Sequence, residues 1–464
     1  MLRYLMFEKQ SKKAQDWLYP ADFREYHSLL STLDPSPDFL DQQQKEHLAK
    51  TLEYSRSFDY DLIATGEEVD SAIIKVKGLL TGFIFNKPAN KQLVCLLSNL
   101  YITAKQARHQ MISLQLRRGK AVPPIYNPSK TSHSMLEKIV KAMASHDLII
   151  HVPGNFAREA GIFESHLPRI AAFSDLIEVL EEQCGWHAGL LNYHEKAETI
   201  HLKSEKDKDK KRHLITYEVT KDIAEQCELL RQYNRFIMNQ RVMIPDLSEM
   251  VPDLIHTRRV FNNNSWQSHG RLYGGRFQQL NETERSKLTI NGEPVVELDI
   301  KSCHPTMAYA EMGINWYRQS NRDIYEVTGV SEWPRDLVKK CVNILLNAKN
   351  KRAAVSSLNN AQRKDNIVEM AGIVPNKGWA TKLVDDCFSS FADIQPLFYA
   401  ERGNHYMYQE GNICMSVIRS CLEQDIPVLT LHDSFICQAK NEKFVKNKIE
   451  TAFENVAGAS CIIV

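Results

Sequence analysis

The stretch Glu293-Pro-Val-Val-Glu-Leu-Asp-Ile-Lys-Ser-Cys-His-Pro-Thr-Met-Ala-Tyr309 decides how the rest of the chain is read. Val296, Leu298 and Ile300 alternate with Val295, Glu297 and Asp299, the period-two pattern of a strand with distinct faces. That alternation delivers Asp299 to a strand end. Pro305 stops regular strand pairing, and Met307, Ala308, Tyr309 and Met312 continue as an apolar, helix-like run. Asp299 therefore stands at a strand-to-helix junction, where a ligand or metal ion can reach it. A lone acid at such a junction is most often a cap or turn residue, so a functional reading requires a second acid.

The second acid lies far downstream, in Asp425-Ile-Pro-Val-Leu-Thr-Leu-His-Asp-Ser-Phe-Ile-Cys437. Val428 to Leu431 and Phe435 to Cys437 read as strands flanking His432-Asp433-Ser434, which puts Asp433 at the tight bend of a hairpin. If the strands bearing Asp299 and Asp433 are neighbours, the two carboxylates converge on one sheet edge. Two carboxylates together with triphosphate oxygens hold two Mg²⁺ ions, with Mn²⁺ as an alternative, and such a pair activates an attacking hydroxyl and neutralises departing pyrophosphate.

Between the acids lies Ser331-Glu-Trp-Pro-Arg-Asp-Leu-Val-Lys-Lys-Cys-Val-Asn-Ile-Leu-Leu-Asn347. Ser331 and Pro334 start a helix, and Arg335, Lys339, Asn343 and Asn347 recur every fourth residue opposite Val338, Val342 and Leu345. Such a stripe is usually the solvent side of an amphipathic helix. Asparagine is a poor choice for that side, however, and two cations on one face suit a triphosphate. Upstream, His256 to Leu280 combines Arg258, Arg259, Phe261 and Trp266 with Gly270-Arg-Leu-Tyr-Gly-Gly-Arg-Phe277. Guanidinium groups, aromatic faces and closely approachable backbone are what a phosphate backbone and an unpaired base require. The plainer reading is a glycine-rich loop with surface arginines.

A chain of 464 residues holds about two to four domains and buries a large core without staples. Charged residues make up 25% and the net charge is +1, so nucleic-acid contact rests on local basic surface. Ten cysteines contain no Cys-x-x-Cys pair and no zinc spacing, which reads as free thiols in a reducing compartment. No run approaches a membrane span or a signal peptide, so the expectation is a cytoplasmic protein without a membrane partner.

The N-terminal half reads as short helices broken by Asp34-Pro-Ser-Pro-Asp38, with Lys105, Arg108, Arg117, Arg118 and Lys120 as a local basic excess. Ser134-Met-Leu-Glu137 has capping-box form and opens Leu136, Ile139, Val140 and Met143 at helical period. A strand at Leu148 to Val152 and the turn Pro153-Gly154 follow, an order that fits a winged-helix unit on DNA and many other small α/β units. Glu198 to Leu202 and His213 to Val219 read as a hairpin around the charged loop 203–212, and a helix follows from Lys221 to Asn239.

The order of acid-bearing strand, cationic helix and His-Asp hairpin resembles motifs A, B and C of the palm-and-fingers polymerases, specifically the family A DNA polymerases and the single-subunit phage-type RNA polymerases. The helix matches the family A pattern Arg-x3-Lys-x3-aromatic-x3-Tyr at Arg335 and Lys339 and departs from it at Asn343 and Asn347. Leu431-His-Asp-Ser-Phe435 is similar to the phage-type motif C, Asp323-Ile-Tyr-Glu-Val-Thr-Gly329 to the helix before motif B, and Tyr408-Gln-Glu-Gly411 loosely to the Gln-Gly element. Asp-Ile-Lys-Ser-Cys-His-Pro-Thr is closer to the family B motif A, with His304 where that family has a tyrosine that closes the pocket against a 2′-hydroxyl. The resemblance covers Arg258 onward; the N-terminal half matches neither family.

The residues read as an α+β chain with a helical region over 1–125 and a small α/β, winged-helix-like unit with a hairpin over 126–220, and the resemblance implies a right-hand palm of antiparallel sheet with helical fingers over 221–464. It implies a template-directed nucleotidyltransferase, a DNA polymerase before an RNA polymerase or primase, in replication or a mobile element. Asp299 and Asp433 would hold two Mg²⁺, and Lys339 would protonate pyrophosphate. Arg335, Lys339, Asn343, Asn347, Ser302 and His304 would bind the nucleoside triphosphate. Arg258, Arg259, Arg271, Tyr273, Arg276 and His432 would contact template and primer. The alternatives are a two-metal nuclease, with Glu297 or Glu401 as a third acid, and a non-catalytic DNA-binding replication factor.

Overall fold

The computed structural model describes residues 55–106, 110–116, 122–152, 167–208, 210–244, 255–320, 322–365, 367–372 and 376–464. The proline loop at 34–38, Arg108, Arg117, Arg118, Lys120 and the turn at 153–154 lie outside them. The described chain mixes helices with largely antiparallel sheets and divides between Glu198 and Thr199 into two units. None of its helices is long and apolar enough to cross a membrane.

Within 55–125, read as helical, three short strands, Arg56–Ser57, Leu62–Ala64 and Ile112–Ser113, stand beside the helices. Helices Glu67–Leu79, Lys87–Gln106 and His133–Ser145 accompany a four-stranded sheet and a two-stranded one. Helix His133–Ser145 buries Leu136, Ile139, Val140 and Met143, as their spacing predicts. Its cap is Ser132, whose side chain accepts from Met135 N, and not Ser134. Glu137 does not complete a box there; it pairs with Lys141 one turn on. Ile149–Val152 forms an edge strand against Arg169–Ala172, and Lys105 is engaged with Glu181 at 2.8 Å.

In the second unit, β1 (Ile200–Leu202) meets its expected hairpin partner only next to the loop, where the Ser204 amide donates to the His213 carbonyl at 2.8 Å and the Ile215 amide to the Leu202 carbonyl at 3.0 Å. It pairs in parallel with β3 (Arg258–Phe261), and a single bridge, Lys203 to Leu214, reaches the second run. The apolar contrast explains the choice: Ile200, Leu202, Val260 and Phe261 are buried, whereas Val219 is exposed. β4 (His269–Tyr273) completes this sheet beside β3. Helix α1 (Lys221–Met238) is capped by Thr220 and buries Ile223, Cys227, Leu230, Tyr233 and Ile237, as its periodicity predicts.

The larger sheet has five antiparallel strands. β2 (Val242–Met243) pairs with β5 (Thr289–Ile290), β5 with β6 (Glu293–Asp299), and β6 with β8 (Ser434–Gln438), which forms a hairpin with β7 (Val428–Leu431). β8 is buried along its whole length, which accounts for the unalternating run Phe435-Ile-Cys437. Helix α2 (Cys303–Glu311) leaves β6 through Ser302, whose φ of 52° turns the chain sharply, and Pro305 sits harmlessly in its first turn.

Helix α3 (Arg335–Asn347) buries Leu337, Val338, Cys341, Val342, Leu345 and Leu346 against α4 (Lys351–Asp365) and α5 (Trp379–Ser390). Asp323 to Gly329 is not the helix its resemblance implies: a turn at Asp323 leads into the 3-10 turn Thr328–Val330. Helix α6 (Gly403–Leu422) packs on β4 and on α7 (Glu442–Ala457). A Cβ at Gly411 would lie 2.0 Å from the Gly270 carbonyl oxygen, so glycine is what lets α6 touch β4.

Candidate active site

Asp299 ends β6 directly opposite Ser434, and the Ile300 amide donates to the Asp433 carbonyl at 3.0 Å. The two acids therefore lie at one end of adjacent strands. His432 and Asp433 form the two-residue loop between paired Leu431 and Ser434, with His432 in the left-handed region at φ 58°. Asp299 is held on both sides. Its amide donates to the Val464 carbonyl at 2.9 Å, the Val464 amide donates back at 3.0 Å, and Ser434 Oγ donates to its Oδ1 at 2.7 Å.

Burial, then the nearby Glu410 and Asp299 carboxylates, push the Asp433 carboxyl up to about 6. Burial and the Arg271 guanidinium lower His432 to about 4, so its imidazole is neutral at pH 7. Like charges pressed together at a strand end are what a divalent cation relieves. Among the described residues no three His, Cys, Asp or Glu side chains are arranged to close a metal site by themselves. Two carboxylates that leave coordination positions for substrate oxygens fit Mg²⁺, which keeps several non-protein ligands.

One helical turn of α6 reaches this end of the sheet with a third acid. Glu410 is 1% exposed; its Oε2 accepts from Arg271 Nη2 at 2.7 Å, Arg271 Nε at 3.1 Å and His304 Nε2 at 3.0 Å. Burial opposes its charge, but the His304 hydrogen bond and the Arg271 guanidinium outweigh burial and hold it below the usual carboxylate range. Its Oε1 is buried without a hydrogen-bond partner.

The cationic helix connects to the same strand end. Asp323 Oδ2 accepts from Arg335 Nη2 at 2.8 Å and lies 3.2 Å from Lys301 Nζ, two residues beyond Asp299. Arg335 also stacks over the Tyr325 ring. Lys339 is exposed on the next turn, Asn347 donates to the Asn343 carbonyl at 2.7 Å, and Ser302 keeps its Oγ buried beside the Tyr317 and Tyr325 hydroxyls. Asn347 also lies against Gly403, where a Cβ would overlap its side chain.

The residues expected on nucleic acid separate into three groups. Arg271 and His432 join the acids. Tyr273 is exposed at 37%, stacks on His269 and meets His432 edge-on at 5.8 Å, while Arg258 and Arg276 are half-buried at the start of β3 and beyond β4. Arg259 cannot contact nucleic acid directly. It is 2% exposed and donates to the Gly270 carbonyl, Gln226 and Asn412, cross-bracing β4, α1 and α6 from between the Phe261 and Tyr408 rings.

No protein-family model matches the chain, and no curated protein matches it. Reading from sequence passed over Lys301, Asp323, Tyr406, Glu410 and Ser434. Glu410 carried a usable signal: it shares the buried face of α6 with Tyr406, Ile413 and Val417, and an acid on an apolar face requires a partner. Asp323 carried none.

Proposed function

We propose that the chain is a template-directed nucleotidyltransferase, a DNA polymerase that extends a 3′-hydroxyl, with the second unit as palm and fingers. The observation that carries this reading is the pairing of Asp299 and Asp433 at one strand end, Asp433 with its carboxyl pushed up to about 6 by burial and neighbouring acids. Asp299 and Asp433 would hold two Mg²⁺. Bound there, the ions supply Lewis acidity to the attacking hydroxyl and charge neutralisation to the pyrophosphate. Arg335 binds the polyphosphate after leaving Asp323, and Lys339, exposed on the same face of α3, gives a proton to the leaving group. His304 fills the space beneath the sugar. Tyr273 and the neutral His432 offer ring faces to a base, and Arg271 lends positive charge beside them.

A two-metal nuclease has less support, because its candidate third acids are engaged by cations or imidazole, Glu410 at this strand end by Arg271 and His304. Glu297 accepts a two-pronged bond from Arg285 at 2.7 and 2.9 Å, and Glu401 lies 3.7 Å from Lys349. A DNA-binding factor without catalysis gives the two adjacent acids no work. Incubation with labelled dNTPs or NTPs, on primed and unprimed templates, separates the readings: a polymerase lengthens the primer, a nuclease shortens it, and a binder leaves it unchanged. Asp299→Asn and Asp433→Asn are each expected to lower extension by about three orders of magnitude or more. Undiminished extension by either variant overturns the assignment.

A further inference from the structure

We infer that Glu410 and Tyr406, neither of them in the reaction path, lock His304 in place and thereby make it a fixed gate against a ribose 2′-hydroxyl. The inference rests on the polymerase reading above and names what enforces its sugar choice. Tyr406 and Glu410 are four residues apart and so share one face of α6. From that face Glu410 Oε2 holds His304 Nε2 at 3.0 Å, and the Tyr406 ring lies against the imidazole with centroids 5.8 Å apart.

Both braces are themselves immobile. Tyr406 is fully buried and donates its hydroxyl to Glu311 Oε2 at 2.9 Å; Glu410 is fully buried and is anchored on β4 by the Arg271 fork. His304 is therefore fixed from two directions by groups that belong to α6, while its own backbone belongs to α2. A side chain held this way cannot swing aside for an extra hydroxyl, whereas an unbraced histidine at a helix start could change rotamer at little cost. Glu410 is thus a positioning residue: its charge fixes His304 and Arg271 on a single oxygen.

The test compares the ratio of kcat/KM for dNTP over NTP incorporation in the full chain, in Glu410→Gln, in His304→Ala and in the double variant. Glutamine keeps the size and an acceptor but removes the charge. Thermal unfolding of each variant checks that it is folded. Glu410→Gln is expected to lower the dNTP preference by about fivefold or more, His304→Ala by at least as much, and the double variant no further than His304→Ala alone. A merely structural Glu410 would reduce use of both sugars in proportion and leave the ratio unmoved. A ratio in Glu410→Gln within about twofold of the wild type overturns the inference, as do additive losses in the double variant. A wild-type preference for NTPs overturns it too. Absence of any incorporation by the wild type overturns the polymerase reading and this inference with it, whereas incorporation with an unmoved ratio overturns the inference alone.

Discussion

Asp433 makes a titration prediction at the scale of one residue. Its folded carboxyl is raised from 3.8 to about 6, so between those values the folded chain keeps a proton that the unfolded chain has released. The folded state binds more protons, and stability falls as pH rises through that window. The lost stability is at most about 3 kcal/mol and is absent at lower pH, where both states are protonated. In chelator, urea unfolding should show Asp433→Asn gaining about 1–3 kcal/mol over the wild type at pH 7 and nothing at about pH 3. Added Mg²⁺ should stabilise the wild type at pH 7 and the variant much less. A variant as unstable as the wild type at pH 7 would contradict the account of its raised carboxyl.

Two contacts between elements carry predictions of their own. Gly411→Ala sets a methyl group against the Gly270 carbonyl, a backbone atom that cannot rotate away, so α6 must part from β4. The expected loss is about 1–3 kcal/mol in thermal or urea unfolding, with extension falling because Glu410 moves with the helix. The second contact is Asp323, whose one oxygen occupies both Arg335 and Lys301. Asp323→Asn leaves both cations to the polyphosphate and should lower the KM for nucleotide by about two- to fivefold, the range of a partly exposed ion pair. A raised KM would instead mean that Asp323 orients Arg335 for binding.

Across the whole molecule all ten cysteines stand outside any disulfide, and nine are buried. Even the half-exposed Cys461 has its thiol pushed up to about 12 by burial. Alkylation at pH 8 should therefore modify fewer than one thiol in the native chain while modifying all ten after unfolding, as counted by intact mass. Faster native labelling would place a thiolate at the surface, against the burial of these side chains.

What the amino-acid order determined by itself was local: the alternation that brings Asp299 to a strand end, the His432-Asp433 bend, and the apolar faces of α1 and α3. Period two and period 3.6 report which face of an element is buried, and they do so from a few neighbouring residues. They do not report what that face meets. Only tertiary packing added β3 as a parallel partner of β1, buried Arg259 as a brace, set Asp323 between Lys301 and Arg335, and gave Glu410 to His304 and Arg271. The physical reason is that a buried charge is tolerated only with a partner, and the partner is supplied by whichever distant element packs against it.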